Sequence, residues 1–126
     1  MAVIYRVNMS DLTVKAEEPE GVYRELGGRG LTSAMVAQEV PPTCHPLSGE
    51  NKLVIAPGSL TATGASCAGR LSVGGKSPLT GTIKESNAGG QAALALASLG
   101  IRAIVLEGTP RDGRLYRLVV SRGGVQ

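Results

Sequence analysis

The alternation of apolar and polar positions begins at once. In "AVIYRVN" (2–8), Val3, Tyr5 and Val7 alternate with Ile4 and Arg6, the period-two pattern of a strand. "MSDL" supplies turn chemistry and "LTVKAE" resumes the alternation, so the opening predicts a β-hairpin. In "GGRGLTSAMVAQEV" (27–40), Leu31, Ala34, Met35 and Gln38 fall at helical spacing, with Gly27 to Gly30 as a lead-in loop. Pro41 and Pro42 end that helix, since proline lacks an N–H and disfavours helix in the residue before it. "NKLVIAPG" predicts a short apolar strand, and "GRLSVGGK" another, in which Gly74 and Gly75 signal a bulge or a close approach by a neighbour. "QAALALASLG" is a run of helix formers capped by Gly100, and its lack of polar side chains predicts burial on most sides. "RAIVLEG" and "RLYRLVV" predict two further strands joined by the turn "TPRDGR". Hairpins at both ends with two helices between them favour an α+β fold of short strands over a doubly wound parallel sheet.

Composition changes this picture in one respect. With 126 residues the chain is a single domain or a piece of one, but it has no Trp or Phe and only three tyrosines. Aromatic side chains bring the largest buried areas, so the core must rest on Val, Leu, Ile and Ala. Eighteen glycines raise the entropic cost of ordering the chain. Stability is therefore expected to draw on a neighbour or a ligand.

Charge and cysteine usage narrow the function classes. Thirteen basic and ten acidic residues leave a mildly basic surface, and no aromatic platform interleaves the basic ones, so no nucleic-acid partner is expected. Cys44 and Cys67 lie far apart, which argues against a zinc site and a disulfide framework. The N-terminus has neither a signal-peptide pattern nor a run long enough to span a membrane, so a cytoplasmic location and no membrane partner are the expectation.

Candidate chemistry concentrates in two loops. "APGSLTATGASCAGR" (56–70) and "KSPLTGTIKESNAGG" (76–90) are rich in Gly, Ser and Thr, and successive N–H groups in such turns can form an anion-binding concavity. Arg70 closes the first loop, and its planar fork suits phosphate. Gly89 and Gly90 open the Ala/Leu helix, where an N-terminus attracts anions, and Asn87 is placed to cap it. No P-loop spacing is present. By spacing alone, phosphate binding and plain turns and caps both stay open.

The motifs "LGGRGL", "PLSGENKLVIAPGSLTATGA", "GRLSV", "KSPLTG", "ESNAGG" and "LGIRAIVLEG" occur here in the order in which they occur in the N-terminal domain of aldehyde ferredoxin oxidoreductases. The chain resembles that family from about Tyr5 to Gly108. The resemblance implies a tungsten or molybdenum bis-pterin cofactor whose phosphates are bridged by magnesium. It implies cofactor contacts from Arg70, from Asn87 (also at the magnesium) and from Gly89, with Ala88 and Gly90 beside them. Lys76 and Ser77 are weaker positions with a structural reading, and for Arg29 a structural role and a cofactor role both remain open. The parent reaction would convert an aldehyde and water to a carboxylic acid, with electrons passing to ferredoxin.

Departures from the family pattern qualify this. Gln91, Ala92 and Ala93 stand where the family places aromatic residues, and Cys67, in the first loop, is expected to be a small buried residue. Residues 1–126 correspond to about half of the family's N-terminal domain, without the cysteines that hold its 4Fe-4S cluster. The implied partners are therefore the remaining domains or subunits. Uncovered apolar surface would favour a homo-oligomer, and the isolated chain is expected to be inactive. The alternative is a stand-alone, non-catalytic module for phosphate or pterin binding or for scaffolding.

Overall fold

The computed structural model describes residues 2–126. Strands β1 (Val3–Asn8) and β2 (Thr13–Glu17) form the expected hairpin, with Val7 opposite Val14. Then come α1 (Val22–Glu25), α2 (Gly28–Glu39), β3 (Lys52–Pro57), β4 (Leu71–Lys76), β5 (Ile83–Ala88), α3 (Gln91–Ser98) and β6 (Ile101–Glu107). Two-residue strands β7 (Val120–Ser121) and β8 (Gly124–Val125) make a small terminal ribbon. The main sheet runs β2-β1-β6-β3-β4-β5; β1 and β6 are parallel and its other pairs antiparallel. The fold is the mixed α+β arrangement that the residue pattern predicts.

Alternation along the strands divides the core in two. Ile4, Val54, Ala56, Ala103 and Val105 face α2, where Leu31, Met35 and Val36 meet them. Val7, Ile104 and Val125 point to the opposite face with Tyr5, Ile55, Leu96 and Leu99. The first cluster is packed without an aromatic ring among its buried members, which makes close backbone approach the means of filling space. Gly74 is such a place: a Cβ there would lie 2.9 Å from Thr32 Cβ, and Thr32 is fully buried. A Cβ on Gly75 would meet the Lys52 carbonyl oxygen at 2.8 Å. The close approach expected at these glycines is present.

Five elements differ from the sequence reading. Residues 83–88, inside a stretch read as loop, form β5, which pairs with β4 along its whole length through a turn closed by Ser77 and Thr82. As an edge strand β5 has one neighbour and little burial, so it lacks the apolar alternation that reveals a strand. "RLYRLVV" contributes only β7, because both edges of β6 are already bonded to β1 and β3 and leave no hairpin partner for 114–119. Helix α3 buries Ala93 alone and leaves Leu94 half exposed, since the sheet covers one side of it. The helices number three among the described residues: α1 is an extra single turn, and α2 already begins at Gly28, within the expected lead-in loop.

One end of the sheet is tied to α2 by charge. Arg6 donates to both carboxylate oxygens of Glu39 at 2.7 and 2.8 Å and reaches Glu17 through Nε. Lys52 Nζ bridges Glu39 (3.0 Å) and Glu107 (2.7 Å), and the Tyr23 hydroxyl donates to Glu39 at 3.0 Å. Burial pushes the Glu39 carboxyl up, but the hydrogen bonds and charges of Arg6 and Lys52 outweigh it and hold the group at about 2. Burial, aided by the bond to Glu39, lifts the Tyr23 phenol to about 12.

Two outcomes follow from this packing. A depressed carboxyl stabilises the fold above its ordinary value of 4.5, and that contribution disappears as pH falls towards 2. Glu39→Gln should lower unfolding free energy by about 2–3 kcal/mol in urea at neutral pH, below the cost of breaking a fully buried pair. The deficit should shrink between pH 4.5 and 2; a deficit unchanged across that range would refute the assignment. Gly74→Ala should cost about 1–3 kcal/mol by overpacking against Thr32, read as a lower urea midpoint, and a wild-type midpoint would show that α2 can shift freely.

Candidate functional site

Arg70 is presented by a loop whose ends are clamped. Gly58 N–H donates to the Arg70 carbonyl at 3.1 Å, and Thr61 Oγ1 donates to the Ala68 carbonyl at 2.6 Å. Within that loop Ala62 and Cys67 adopt positive φ (65° and 58°), which marks a tightly wound path. Cys67 is exposed, contrary to the sequence reading, because the winding turns it outward. The Arg70 side chain is exposed, and among the described residues it makes no ion pair.

The other wall is the start of α2. Its N-cap, Gly27, provides no side-chain bond, and its first intrahelical donor is Leu31 N–H. The early amides are thus left for water or an anion. A Cβ on Gly27 would lie 2.5 Å from Ser59 N, so glycine is what lets the helix start sit directly against the 58–70 loop. Between these walls opens a cavity of about 480 Å³ lined by Gly27, Gly28, Arg29, Gly30, Gly58, Ser59, Arg70, Ser72 and Asn87.

Asn87 does not cap α3. It lies at the end of β5 opposite Ser72, whose Oγ donates to Asn87 Oδ1 at 2.7 Å, and its Nδ2 donates to Glu85 Oε1 at 3.2 Å. These two bonds fix the orientation of the amide and occupy much of its capacity, leaving one N–H and the main chain for a ligand. Gly90 is the α3 N-cap instead, at φ 102°. Ala88 and Gly89 follow Asn87 at the exposed edge, and a Cβ on Gly89 or Gly90 would meet nothing within 4 Å. Gly90 is explained by its backbone angle, whereas nothing inside the chain demands a glycine at 89. The open space before Gly89 suits a group approaching from outside.

The structure brings Arg70, Asn87 and Arg29 to one cavity and keeps Lys76 away from it. Lys76 ends β4 six residues beyond Arg70, roughly 20 Å of strand, and its ammonium donates to the Pro42 and Cys44 carbonyls at 2.6 Å each. Ser77 is buried and accepts from the Leu79 and Thr80 amides. Ser77 serves the turn between β4 and β5, and Lys76 ties the end of β4 to the segment after α2. Sequence reading missed Ser72, Ser59 and Glu85. A small polar residue at 72, on the strand face that meets α2, was the one signal available.

Donors of this type fit an anionic group with phosphate oxygens: a free guanidinium, uncapped amides and small hydroxyls around open space. Among the described residues no three His, Cys, Asp or Glu side chains converge as metal ligands, and no helix is long and apolar enough to cross a membrane.

Comparison with known proteins bears on what such a site belongs to. Residues 4–126 match the family described as aldehyde ferredoxin oxidoreductase, N-terminal domain. The chain is 48% identical over 105 residues to the tungsten-containing aldehyde ferredoxin oxidoreductase of Pyrococcus furiosus, covering 82% of this chain and 17% of that protein. It is 46% identical over 105 residues to the protein of the same name from Thermococcus kodakarensis, with the same coverage. Among solved structures, the active site complex BamBC of benzoyl coenzyme A reductase in complex with 1,5 dienoyl-CoA superposes with a TM-score of 0.91 at 28% identity. That match covers 99% of this chain and 19% of the other. The chain thus spans less than a fifth of the length of these relatives. With the match running through nearly every residue, the chain belongs to the aldehyde ferredoxin oxidoreductase family, within its N-terminal domain.

Proposed function

We propose that this chain is the part of a tungsten-pterin oxidoreductase that holds the phosphate end of the cofactor. The observation that carries the reading is the cavity itself, with Arg70 unpaired at its rim beside the uncapped start of α2. Arg70 would make a charge-assisted pair with a phosphate. The first amides of α2 and the Ser59 hydroxyl would add neutral donors, Asn87 would offer main chain at the cavity itself, and Ala88, Gly89 and Gly90 would extend that exposed edge beyond it. A magnesium ion would be met by an oxygen of Asn87, either its main-chain carbonyl or the second lone pair of Oδ1, the first of which accepts from Ser72.

A bound tungsten or molybdenum bis-pterin group would supply the two-electron chemistry that turns an aldehyde and water into a carboxylic acid. This chain's own task in that reaction is to bind, orient and anchor. An aldehyde substrate is favoured by the identity to the curated relatives rather than by the fold, because the same architecture occurs in a benzoyl coenzyme A reductase complex. The 4Fe-4S cluster and the contact with ferredoxin fall to domains beyond these residues, in a cytoplasmic enzyme. The isolated chain is inactive on this reading. Leu12 and Tyr116 are exposed at an apolar groove of about 290 Å³ formed by β1, β2, β6 and the C-terminal segment, and Leu115 beside it in the chain is exposed as well. That surface would be covered by the remaining domains or by a second copy in a homo-oligomer.

Titration with inorganic pyrophosphate at fixed low salt tests the site. Arg70→Ala removes one charge-assisted pair worth about 1.5–3 kcal/mol, so affinity should fall about ten- to a hundredfold. Wild-type affinity in that variant would show the loop to be a plain turn and favour the scaffold alternative. Gly89→Val should weaken binding comparably while leaving the thermal midpoint near wild type, because the space before it is open. A variant that unfolds, or one that binds as well as wild type, would remove Gly89 from the site.

A further inference from the structure

Far from the phosphate cavity, the C-terminal segment carries an open backbone edge. Val119 and Gln126 exchange both main-chain hydrogen bonds, at 2.7 and 2.9 Å, in line with the β7–β8 pairs Val120 to Val125 and Ser121 to Gly124. On the other side of Val119 this ladder has one strand only. Among the described residues the main-chain groups of Leu115, Tyr116, Arg117 and Leu118 make no hydrogen bond. In an antiparallel pair, alternate residues turn their N–H and C=O to a given neighbour. With Val119 turned to β8, Arg117 and Leu115 turn the same way and are the next two rungs. The far end of the edge is set by a turn, in which Asp112 accepts from the Arg114 amide at 3.1 Å and the Tyr116 hydroxyl at 2.6 Å. Unpaired main-chain groups in such a row are a template for another strand.

Side chains along the edge alternate to suit one. Leu118 packs on the second core cluster and, with Tyr116, lines the apolar groove whose other walls include Met9, Leu12, Val14 and Leu106. Leu115 and Val119 are exposed (99% and 41%), as is Arg117 between them. A strand laid beside 115–118 would therefore place every second side chain over the groove. Charge selects what that strand carries. Between residues 109 and 126 lie Arg111, Arg114, Arg117 and Arg122 against Asp112 alone, a net charge of +3 that equals that of the whole chain. All four arginines are exposed, and Asp112 is already beside Arg114 at 3.7 Å. A second copy paired on the same edge would set arginine against arginine, and like charges across a ladder destabilise it. An acidic segment would meet the same residues with opposite charge.

We propose that residues 115–118 are a docking edge for an extended acidic segment of another polypeptide. The segment adds a strand in the β7–β8 register, lays apolar side chains in the groove and sets a carboxylate opposite Arg117. This rests on the reading of the groove as a surface that other polypeptide covers, and it is independent of the phosphate site.

The probe is a labelled, acetylated Val-Glu-Val-Glu-Val-Glu peptide, titrated into the full chain by fluorescence anisotropy at low salt. It should bind, and the Val-Lys-Val-Lys-Val-Lys analogue should bind about tenfold more weakly or not at all. Arg117→Glu should weaken the acidic peptide about tenfold. Methylating the glutamate amides removes the donors that would face Leu115 and Arg117, and should abolish binding. Amide hydrogen exchange by NMR reads the register. The acidic peptide should slow exchange about tenfold or more at Leu115 and Arg117 and leave Tyr116 and Leu118 near their free rates. Equal slowing at all four, or unchanged binding after methylation, would overturn the added strand. Equal affinity for the two peptides, or wild-type affinity in Arg117→Glu, would overturn the choice of an acidic partner. Protection at Leu115 and Arg117 that grows with protein concentration, without peptide, would assign the edge to a second copy instead. No binding at millimolar peptide would overturn the proposal and leave the pyrophosphate titration to decide the phosphate site by itself. Should Arg117→Glu unfold, the methylated peptide and the exchange pattern, both read on the wild-type chain, still decide.

Discussion

The feature on which the rest of the structure depends is how closely α2 lies on the sheet. Two contacts set that distance, and each is possible only because a side chain is missing. At Gly74 a Cβ would stand 2.9 Å from Thr32, and at Gly27 one would stand 2.5 Å from the main chain of Ser59. Leu31, Met35 and Val36 then reach Ile4, Val54 and Val105 with no aromatic ring among the buried residues, Tyr23 packing against the cluster only as a partly buried neighbour. A core built from mid-sized aliphatic residues gains its dispersion energy only at such separations. The seating that completes the core also sets the start of α2 against the loop that carries Arg70.

Charge is handled differently at the two ends of this helix. At its C-terminal end Glu39 is surrounded by Arg6, Lys52 and the Tyr23 hydroxyl, and the cluster joins β1, β2, β3 and β6 to α2. Every charged group there has a partner in the chain, so the cluster orients structure and asks for nothing outside. At its N-terminal end, amides and the Arg70 guanidinium lack partners among the described residues, and Arg29 is only partly engaged by Glu85. Unsatisfied donors at a cavity mouth cost little while water solvates them, and they become useful when an anion replaces that water. One helix thus carries a closed electrostatic arrangement at one end and an open one at the other.

Much of this was legible in the residues. The β1–β2 hairpin, α2, β3, β4 and α3 follow from periodicity and from proline and glycine punctuation, because each either alternates or repeats at helical spacing. The ordered motifs from "LGGRGL" to "LGIRAIVLEG" led to the family, and Arg70, Asn87 and Gly89 were marked out by residue type and place in those motifs. Local chemistry determines those elements, so a linear reading finds them.

What only the tertiary structure decided are the relations between segments far apart in the chain. β5 is a strand because β4 lies beside it, although its own residues have the polarity of a loop. Residues 114–119 are not a strand, because β6 is occupied on both edges by segments from elsewhere. Lys76 was close to Asn87 in sequence and is turned to Pro42 and Cys44, while Arg29, nearly sixty residues from Asn87, shares its cavity. Ser72, Glu85 and Asn87 form one hydrogen-bonded row because β4 and β5 pair in that register. Side-chain type sets what a residue can bind, but the register of the sheet and the depth of α2 set which residues stand together, and those depend on packing that no local pattern encodes.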